Sequence, residues 1–303
     1  MGESCYNSFS TILSMAKILD GRIIREEIAQ RLSAQFSGAS PKPTLAIIQV
    51  GARQDSTAYI TQKKKFGERV GALVRHITFP ETVKEEEIRS QIVKLNNDSE
   101  VNGIILQIPL PKNLNAHQLI ESISTEKDVD GLTSTNLKKL LLSDASGIIP
   151  ATAFGIIKLL DYYEIPIARK KATVVGRSLL VGKSTALCLL NRDASVTICH
   201  SKTENLSEIT KQADILVIAA GRPALIGAEH VSAGQAVIDV GINLPAGGSL
   251  QEEIAGEKFI GDVDFKTVQD IVAAISPVPG GVGPMTVASL FENLFKVFDY
   301  QRG

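Results

Sequence analysis

The chain has no tryptophan, three cysteines, 5% aromatic residues, almost no net charge and no long apolar run. Each shortage closes a door. No stretch approaches the ~20 consecutive apolar residues of a membrane-spanning helix. A formal net charge of -1 over 303 residues gives no electrostatic reason to expect nucleic acid or an anionic membrane as the main partner. Cys5, Cys188 and Cys199 are odd in number and show no metal-ligand spacing. That pattern suits a reducing compartment, with the thiols as small buried hydrophobes, and no metal is expected. The first 14 residues carry Glu3 and no basic n-region, which argues against a secretory signal. Residues 1–15 read as an extension, with Met15-Ala16-Lys17 a more natural beginning, and a cytoplasmic location is expected.

What remains is a chain long enough for two domains, with 44% hydrophobic and 21% charged residues, the balance of an ordinary globular protein. Short β-rich runs alternate with helical periods. The runs predict strands at Thr44–Val50, Leu73–Phe79, Gly103–Ile108, Ala172–Gly176, Ser195–Cys199, Ile215–Ala219 and Ala236–Val240. Several are continuously apolar, as strands of a parallel sheet covered on both faces must be. Ile24, Ile28, Leu32 and Phe36 recur every fourth position, and so do Ile88, Ile92 and, one step short, Leu95. The alternation predicts an α/β fold in two domains. The boundary is expected at Ile149-Pro150-Ala151-Thr152, followed by a helix over Ala153–Tyr163. A first domain then spans 16–150, a Rossmann-like second domain spans 151–277, and 278–303 returns to the first. The returning segment carries an apolar stripe of Leu290, Leu294 and Phe298 on a helix expected over Val287–Phe298.

Glycine and proline are concentrated in Ser276-Pro277-Val278-Pro279-Gly280-Gly281-Val282-Gly283-Pro284-Met285-Thr286. Proline freezes a path and glycine lets backbone approach a ligand, so a stiff loop of this kind lines a cleft or merely connects domains. A second glycine-bearing segment, Gly176-Arg177-Ser178-Leu179-Leu180-Val181-Gly182-Lys183-Ser184, follows a predicted strand. It is open to two readings. One is a variant dinucleotide turn with Ser178 in place of the middle glycine. The other is a P-loop, which requires glycine where Arg177 stands. The next strand ends in Cys199-His200-Ser201-Lys202-Thr203 and offers no acid for the ribose hydroxyls of NAD. Arg177, Ser201 and Lys202 suit a 2′-phosphate instead, which predicts NADP. Asp239, at the end of a later strand, reads either as part of the site or as a buried carboxyl satisfied by backbone.

Ser56 is a candidate N-cap for a helix carrying Tyr59 and Lys63, four apart and on one face. Burial lowers the pKa of a lysine, and such an amine moves protons near neutral pH. The same Tyr-x-x-x-Lys spacing occurs in short-chain dehydrogenases, where it follows the nucleotide turn rather than preceding it. Gln107 ends a buried strand before Pro109 and Pro111, where ligands of open α/β sheets sit. Lys127-Asp128-Val129-Asp130-Gly131-Leu132 forms an acidic turn in which Asp130 offers a carboxylate to a donor-rich heterocycle and Asp128 braces the loop.

In this order the five segments (Tyr59-x-x-x-Lys63, Gly103–Pro111, Lys127–Leu132, Gly176–Gly182 and Pro277–Thr286) resemble the bifunctional methylenetetrahydrofolate dehydrogenase/cyclohydrolase family from about Ile18 to Phe298. The resemblance implies NADP-dependent oxidation of 5,10-methylenetetrahydrofolate and hydrolysis of the methenyl product to 10-formyltetrahydrofolate. It implies catalysis centred on Lys63 with Gln107 assisting, Tyr59 against the folate and Asp130 on the pterin. Pro279, Gly280 and Gly281 would border the folate cleft. Gly176, Arg177, Ser178, Ser201 and Ile242 would contact the cofactor. It further implies a homodimer formed through the nucleotide domains. Retention of one activity alone, or a non-enzymatic nucleotide-binding protein, are the alternatives. Two departures stand out: Ala151 and Ala153 replace the cysteine and second proline of Pro-Cys-Thr-Pro, and Ser184 stands where proline is frequent.

Overall fold

The computed structural model describes residues 15–243 and 259–302; residues 1–14, Cys5 among them, lie outside that range. Among the described residues are two parallel sheets. The smaller has β2 (Thr44–Val50) between β3 (Leu73–Phe79) and β4 (Gly103–Leu106). Every residue of β2 is buried. Leu45 and Ile47 join the core shared with α1 (Gly21–Phe36), while Ala46, Ile48 and Val50 face Ile88, Ile92 and Leu95 of α3 (Glu85–Asn97). A strand covered on both faces cannot alternate polar with apolar residues, which explains the unbroken run.

The larger sheet runs β1-β9-β8-β7-β5-β6, all parallel. Its four longer strands are β5 (Lys171–Val175), β6 (Ser195–Cys199), β7 (Ile215–Ile218) and β8 (Ala236–Asp239), with β6 at one edge, each within a residue of its predicted span. The other edge is β1 (Lys17–Ile18), the first strand of the described chain, paired with β9 (Ala274–Ile275), which in turn pairs with β8. Neither two-residue strand has a pattern long enough to read in sequence.

Three helix boundaries differ from expectation. Helix α2 (Gln54–Val70) begins at Gln54, so Ser56 lies inside its first turn rather than capping it. Gln49 Nε2 donates to Thr57 Oγ1 (3.0 Å), tying the helix start to the end of β2. The helix after the boundary starts at Ala151, directly behind Pro150. It is α6 (Ala151–Tyr162), after the short α4 (Ala116–Ile120) and α5 (Ser134–Leu141). The last helix, α10 (Val282–Tyr300), starts five residues before Val287. Pro284 falls in its first turn, where a missing N–H costs no helical bond. The stiff loop is therefore only Ser276–Gly281.

Helix α10 does return to the smaller sheet. Phe291 packs on Phe66 with ring centroids 5.3 Å apart, and Phe295 and Phe298 flank Phe36. Such aromatic pairs add ~0.5–1.5 kcal/mol beyond area burial. Asn293 Nδ2 donates to Val129 O (3.0 Å) and Ile149 O (2.9 Å), pinning the chain just before α6. Along its other side α10 lies against α6, where a Cβ on Gly155 would come 3.0 Å from Met285 Cβ. The cysteines near the larger sheet, Cys188 and Cys199, are buried and unbridged; burial pushes the Cys188 thiol up to about 12.

Candidate active site

Helix α2 and the end of β4 bring two predicted residues together. Lys63 Nζ, on a side chain in a residue only 7% exposed, donates to Gln107 Oε1 at 2.9 Å. Gln107 Nε2 in turn donates to Ile108 O (3.0 Å), and Gln107 N donates to Ile48 O, so the amide is held from both ends. Its orientation leaves the oxygen facing the amine. Burial lowers the Lys63 pKa, and the charge of Asp130 opposes that shift without cancelling it.

Asp130 lies in the turn between α4 and α5. Its neighbour Asp128 braces that turn: Oδ1 accepts from Gly131 N (2.9 Å) and Leu132 N (3.2 Å), and Oδ2 accepts from Thr133 N (2.8 Å) and Asn136 Nδ2 (2.9 Å). A carboxylate so occupied is a structural part, whereas Asp130 lies near enough to Lys63 for the two charges to act on each other. Burial raises the Asp130 carboxyl to about 6, with Lys63 pulling it down and Asp128 adding to the rise.

Tyr59 stands one turn before Lys63, and the opposite wall comes close to it. A Cβ built on Gly283 would lie 3.9 Å from the Tyr59 hydroxyl and 4.0 Å from Ile242 Cδ1. Tyr59 on α2 and Ile242 in the loop after β8 thus approach the same point at the start of α10. Of the preceding loop, Gly280 has φ +116 and Gly281 N donates to Pro277 O (2.8 Å). Gly21 N donates to Gly280 O (2.9 Å), so α1 holds this loop from behind. Pro279 is exposed, while Gly280 and Gly281 are buried.

The glycine turn after β5 has its own geometry. Gly176 has φ +137, and a Cβ there would lie 2.2 Å from Ala219 O. Gly182 is pressed against Gly176 O, with a hypothetical Cβ at 2.2 Å. Between them Leu179–Lys183 forms one π-helical turn leading into α7 (Ser184–Leu190). The Ser178 hydroxyl accepts from Val181 N and Gly182 N (3.3 and 3.4 Å), and Ser184 Oγ donates to Leu179 O (2.6 Å). With its early N–H groups turned inward, the turn cannot wrap a triphosphate as a P-loop does. Ser184 does the closing where a proline ring would otherwise stiffen the helix start. Gly176 N donates to Cys199 O (2.9 Å), so exposed Arg177 and exposed Ser201 emerge from the ends of adjacent strands. These donors suit an anionic group, and the absence of an acid at the end of β6 fits a ribose carrying a 2′-phosphate.

Two family models match the chain: Tetrahydrofolate dehydrogenase/cyclohydrolase, catalytic domain, over residues 19–130, and Tetrahydrofolate dehydrogenase/cyclohydrolase, NAD(P)-binding domain, over residues 150–302. The chain belongs to the tetrahydrofolate dehydrogenase/cyclohydrolase family. It is 44% identical to the bifunctional protein FolD of Methanoculleus marisnigri over 279 residues, covering 92% of this chain and 95% of the relative. The FolD crystal structure from Campylobacter jejuni superposes with a TM-score of 0.88 at 38% identity, covering 94% and 99% of the two chains. The Trypanosoma brucei family member, solved with NADP and an inhibitor, gives 0.89 at 32% identity, covering 95% and 98%.

Within this family frame, sequence reasoning found the residues on the helix face and at the strand ends and missed a second group. Asp262, Asn243 and Ser276 form a buried polar cluster with Asp239 beyond the ends of β7 and β8. In the sequence the only local mark of it is the acidic turn Gly261-Asp262-Val263-Asp264, which resembles an ordinary solvated loop. Asp239 itself accepts from Gly241 N (2.9 Å), Asp262 N (3.0 Å) and Val263 N (3.0 Å), the backbone-satisfied alternative raised from sequence.

Proposed function

We propose that this chain oxidises 5,10-methylenetetrahydrofolate to the 5,10-methenyl form with NADP and hydrolyses that product to 10-formyltetrahydrofolate. The observation that carries the reading is the buried Lys63 amine, hydrogen-bonded to Gln107 beside Asp130, in a chain matched by both family domains. Bound NADP supplies the hydride acceptor. The protein's part is positioning and proton handling. Tyr59 lies along the folate ring, Asp130 accepts hydrogen bonds from the amino-pterin edge, and Pro279, Gly280 and Gly281 border the substrate. Arg177, Ser178 and Ser201 would hold the cofactor's phosphates, and Gly176 and Ile242 would contact it. In hydrolysis a water adds to the methenyl carbon and loses one proton; the carbon–N5 bond then breaks as N5 takes up a proton, the hydroxyl gives up its own to become the formyl oxygen, and one proton is released overall. Lys63, its amine made a weaker base by burial, takes the water's proton and returns one to N5, and Gln107 fixes its direction.

The functional division runs at 150/151 and 277/278, with 16–150 plus 278–303 for folate and 151–277 for the cofactor. The enzyme works as a cytoplasmic homodimer supplying one-carbon units, purine biosynthesis included. Dimer formation is supported by β6, an open sheet edge with Ile198 exposed, close to exposed Leu190 at the end of α7. Asn191 Nδ2 donates to Leu140 O (2.7 Å), which brings exposed Leu141 and Leu142 to the same region. An unpaired edge with apolar neighbours is stabilised by a partner.

The deciding assay follows NADPH formation and methenyl absorbance from methylenetetrahydrofolate, in parallel with NADP and NAD. NADPH formation followed by decay of the methenyl signal is the expected result, faster with NADP. No coenzyme reduction with either would overturn the reading, and a persistent methenyl signal would restrict it to the first activity.

One pH effect follows from Asp130. Its carboxyl, raised to about 6, is an acceptor-only carboxylate above that pH and gains a proton as pH falls through it. The expected result is a kcat/KM for the folate substrate that declines below about pH 6, with a flattened acid limb in Asp130→Asn. A wild-type acid limb unchanged in Asp130→Asn would assign the titration elsewhere.

A further inference from the structure

The Asp262 carboxylate, on a residue with 0% exposure, gathers donors from two separate loops. Oδ2 accepts from Ala220 N (2.7 Å) and Gly221 N (2.8 Å), and Oδ1 accepts from Arg222 N (2.8 Å), three successive amides after β7. Oδ1 also accepts from Asn243 Nδ2 (2.8 Å), beyond the end of β8. Four donors on one buried carboxylate make a fixed junction, because each bond is charge-assisted and none can be replaced by water.

The junction continues inward. Asp262 N donates to Asp239 Oδ1, Asp239 N donates to Ser276 Oγ (2.8 Å), and Ser276 is the first residue of the stiff loop. Gly241 and Gly261 leave room for the two carboxyl groups: a Cβ on Gly241 would lie 2.3 Å from Asp262 Cγ, and one on Gly261 would lie 1.9 Å from Asp239 Oδ2. Both loops face the cofactor side of the cleft. Ala219 O, one residue before the held amides, is the atom that abuts the Gly176 turn, and Ile242, one residue before Asn243, points to the Tyr59 wall.

We propose that Asp262 is a positioning residue for the cofactor: by fixing the loops after β7 and β8 together, it sets the affinity for NADP while leaving the Lys63 chemistry alone. The inference rests on the reading of the larger sheet as the NADP site. The Asp262 side-chain hydrogen bonds go to residues 220–222 and 243, and none of these is Tyr59, Lys63, Gln107 or Asp130. Asp239 supports it from beneath and gives the junction its depth.

The test uses Asp262→Asn and, as a milder probe that keeps the carboxylate, Asn243→Ala. Asn at 262 presents an amide donor toward backbone N–H groups, and losing one such charged bond weakens a held geometry by roughly ten-fold in affinity. NADP binding is measured directly by titration calorimetry. KM for NADP, dehydrogenase kcat, and hydrolysis of added methenyltetrahydrofolate are measured in the same preparations, with melting curves to verify folding. The expected result for Asp262→Asn is NADP affinity and KM weakened by roughly ten-fold or more, with hydrolysis within about two-fold of wild type. Asn243→Ala should shift NADP affinity in the same direction by a smaller factor. Unchanged NADP affinity in both folded variants would overturn the proposal, and so would a parallel loss of hydrolysis and NADP binding in folded Asn243→Ala. A wild-type protein that binds no NADP would instead refute the underlying reading.

Discussion

Lys63→Met is expected to remove the hydrolytic activity, by roughly 10²–10⁴-fold, the usual worth of a positioned proton-transfer group. The chain should stay folded. Methionine is close to lysine in length, and it deletes an amine whose burial is unfavourable to its charge. What the substitution leaves behind is Gln107 Oε1 without its donor, a cost of about 1–3 kcal/mol for a buried acceptor. Oxidation of the methylene substrate should suffer less, since hydride departure asks for orientation more than for a proton carrier. The measurement is the decay of added methenyltetrahydrofolate, with a melting curve on the same sample. Retained hydrolysis in a folded protein would sink the role given to the amine.

Gly176→Ala should produce the second large effect, on the opposite side of the cleft. The new Cβ would be driven to within 2.2 Å of Ala219 O, at a φ of +137 that side chains rarely adopt. Backbone strain of this kind costs ~1–3 kcal/mol even before the displaced strand end is counted. We expect a melting temperature lower by several degrees and an NADP affinity reduced by roughly ten-fold or more. Hydrolysis of added methenyl substrate should remain, because Lys63 and Gln107 lie on the other sheet. Equal loss of both activities in a folded variant would mean that the turn supports the whole cleft rather than the cofactor.

The contrast between these two sites explains what was legible in the sequence. Lys63, Gln107 and Asp130 were readable because their positions follow from regular rules: a helix face, a strand end and a turn. Strands β2, β4, β7 and β8 were readable because burial on both faces imposes largely apolar runs, whereas the edge strands β3 and β6 are partly exposed and were readable from their β-branched residues instead. The Asp262 junction was not readable. Its bonds reach from Asp262 back to residues 220–222 and 243, and no local pattern marks a carboxylate that will collect distant amides. The start of α10 was misplaced for a related reason. A run of glycine and proline looks like loop, yet Gly283 and Pro284 sit in a first turn whose amides need no helical partner. Ser56 misled in the opposite direction, since a good capping residue caps only when the chain turns there.

The pairing of Lys17–Ile18 with Ala274–Ile275 bears on how the molecule can be divided. The described chain starts as an edge of the coenzyme lobe, crosses to build the folate lobe, crosses again near Pro150, and comes back through Gly281 into α10. Three strands of chain therefore stitch the two halves together. An excised piece ending at residue 150 would carry an orphaned edge and lack the helix that roofs its core, so neither half should survive as a free-standing module. The same stitching means that any hinge between the lobes has to bend at three places in the chain at once, near Leu19, Pro150 and Gly281.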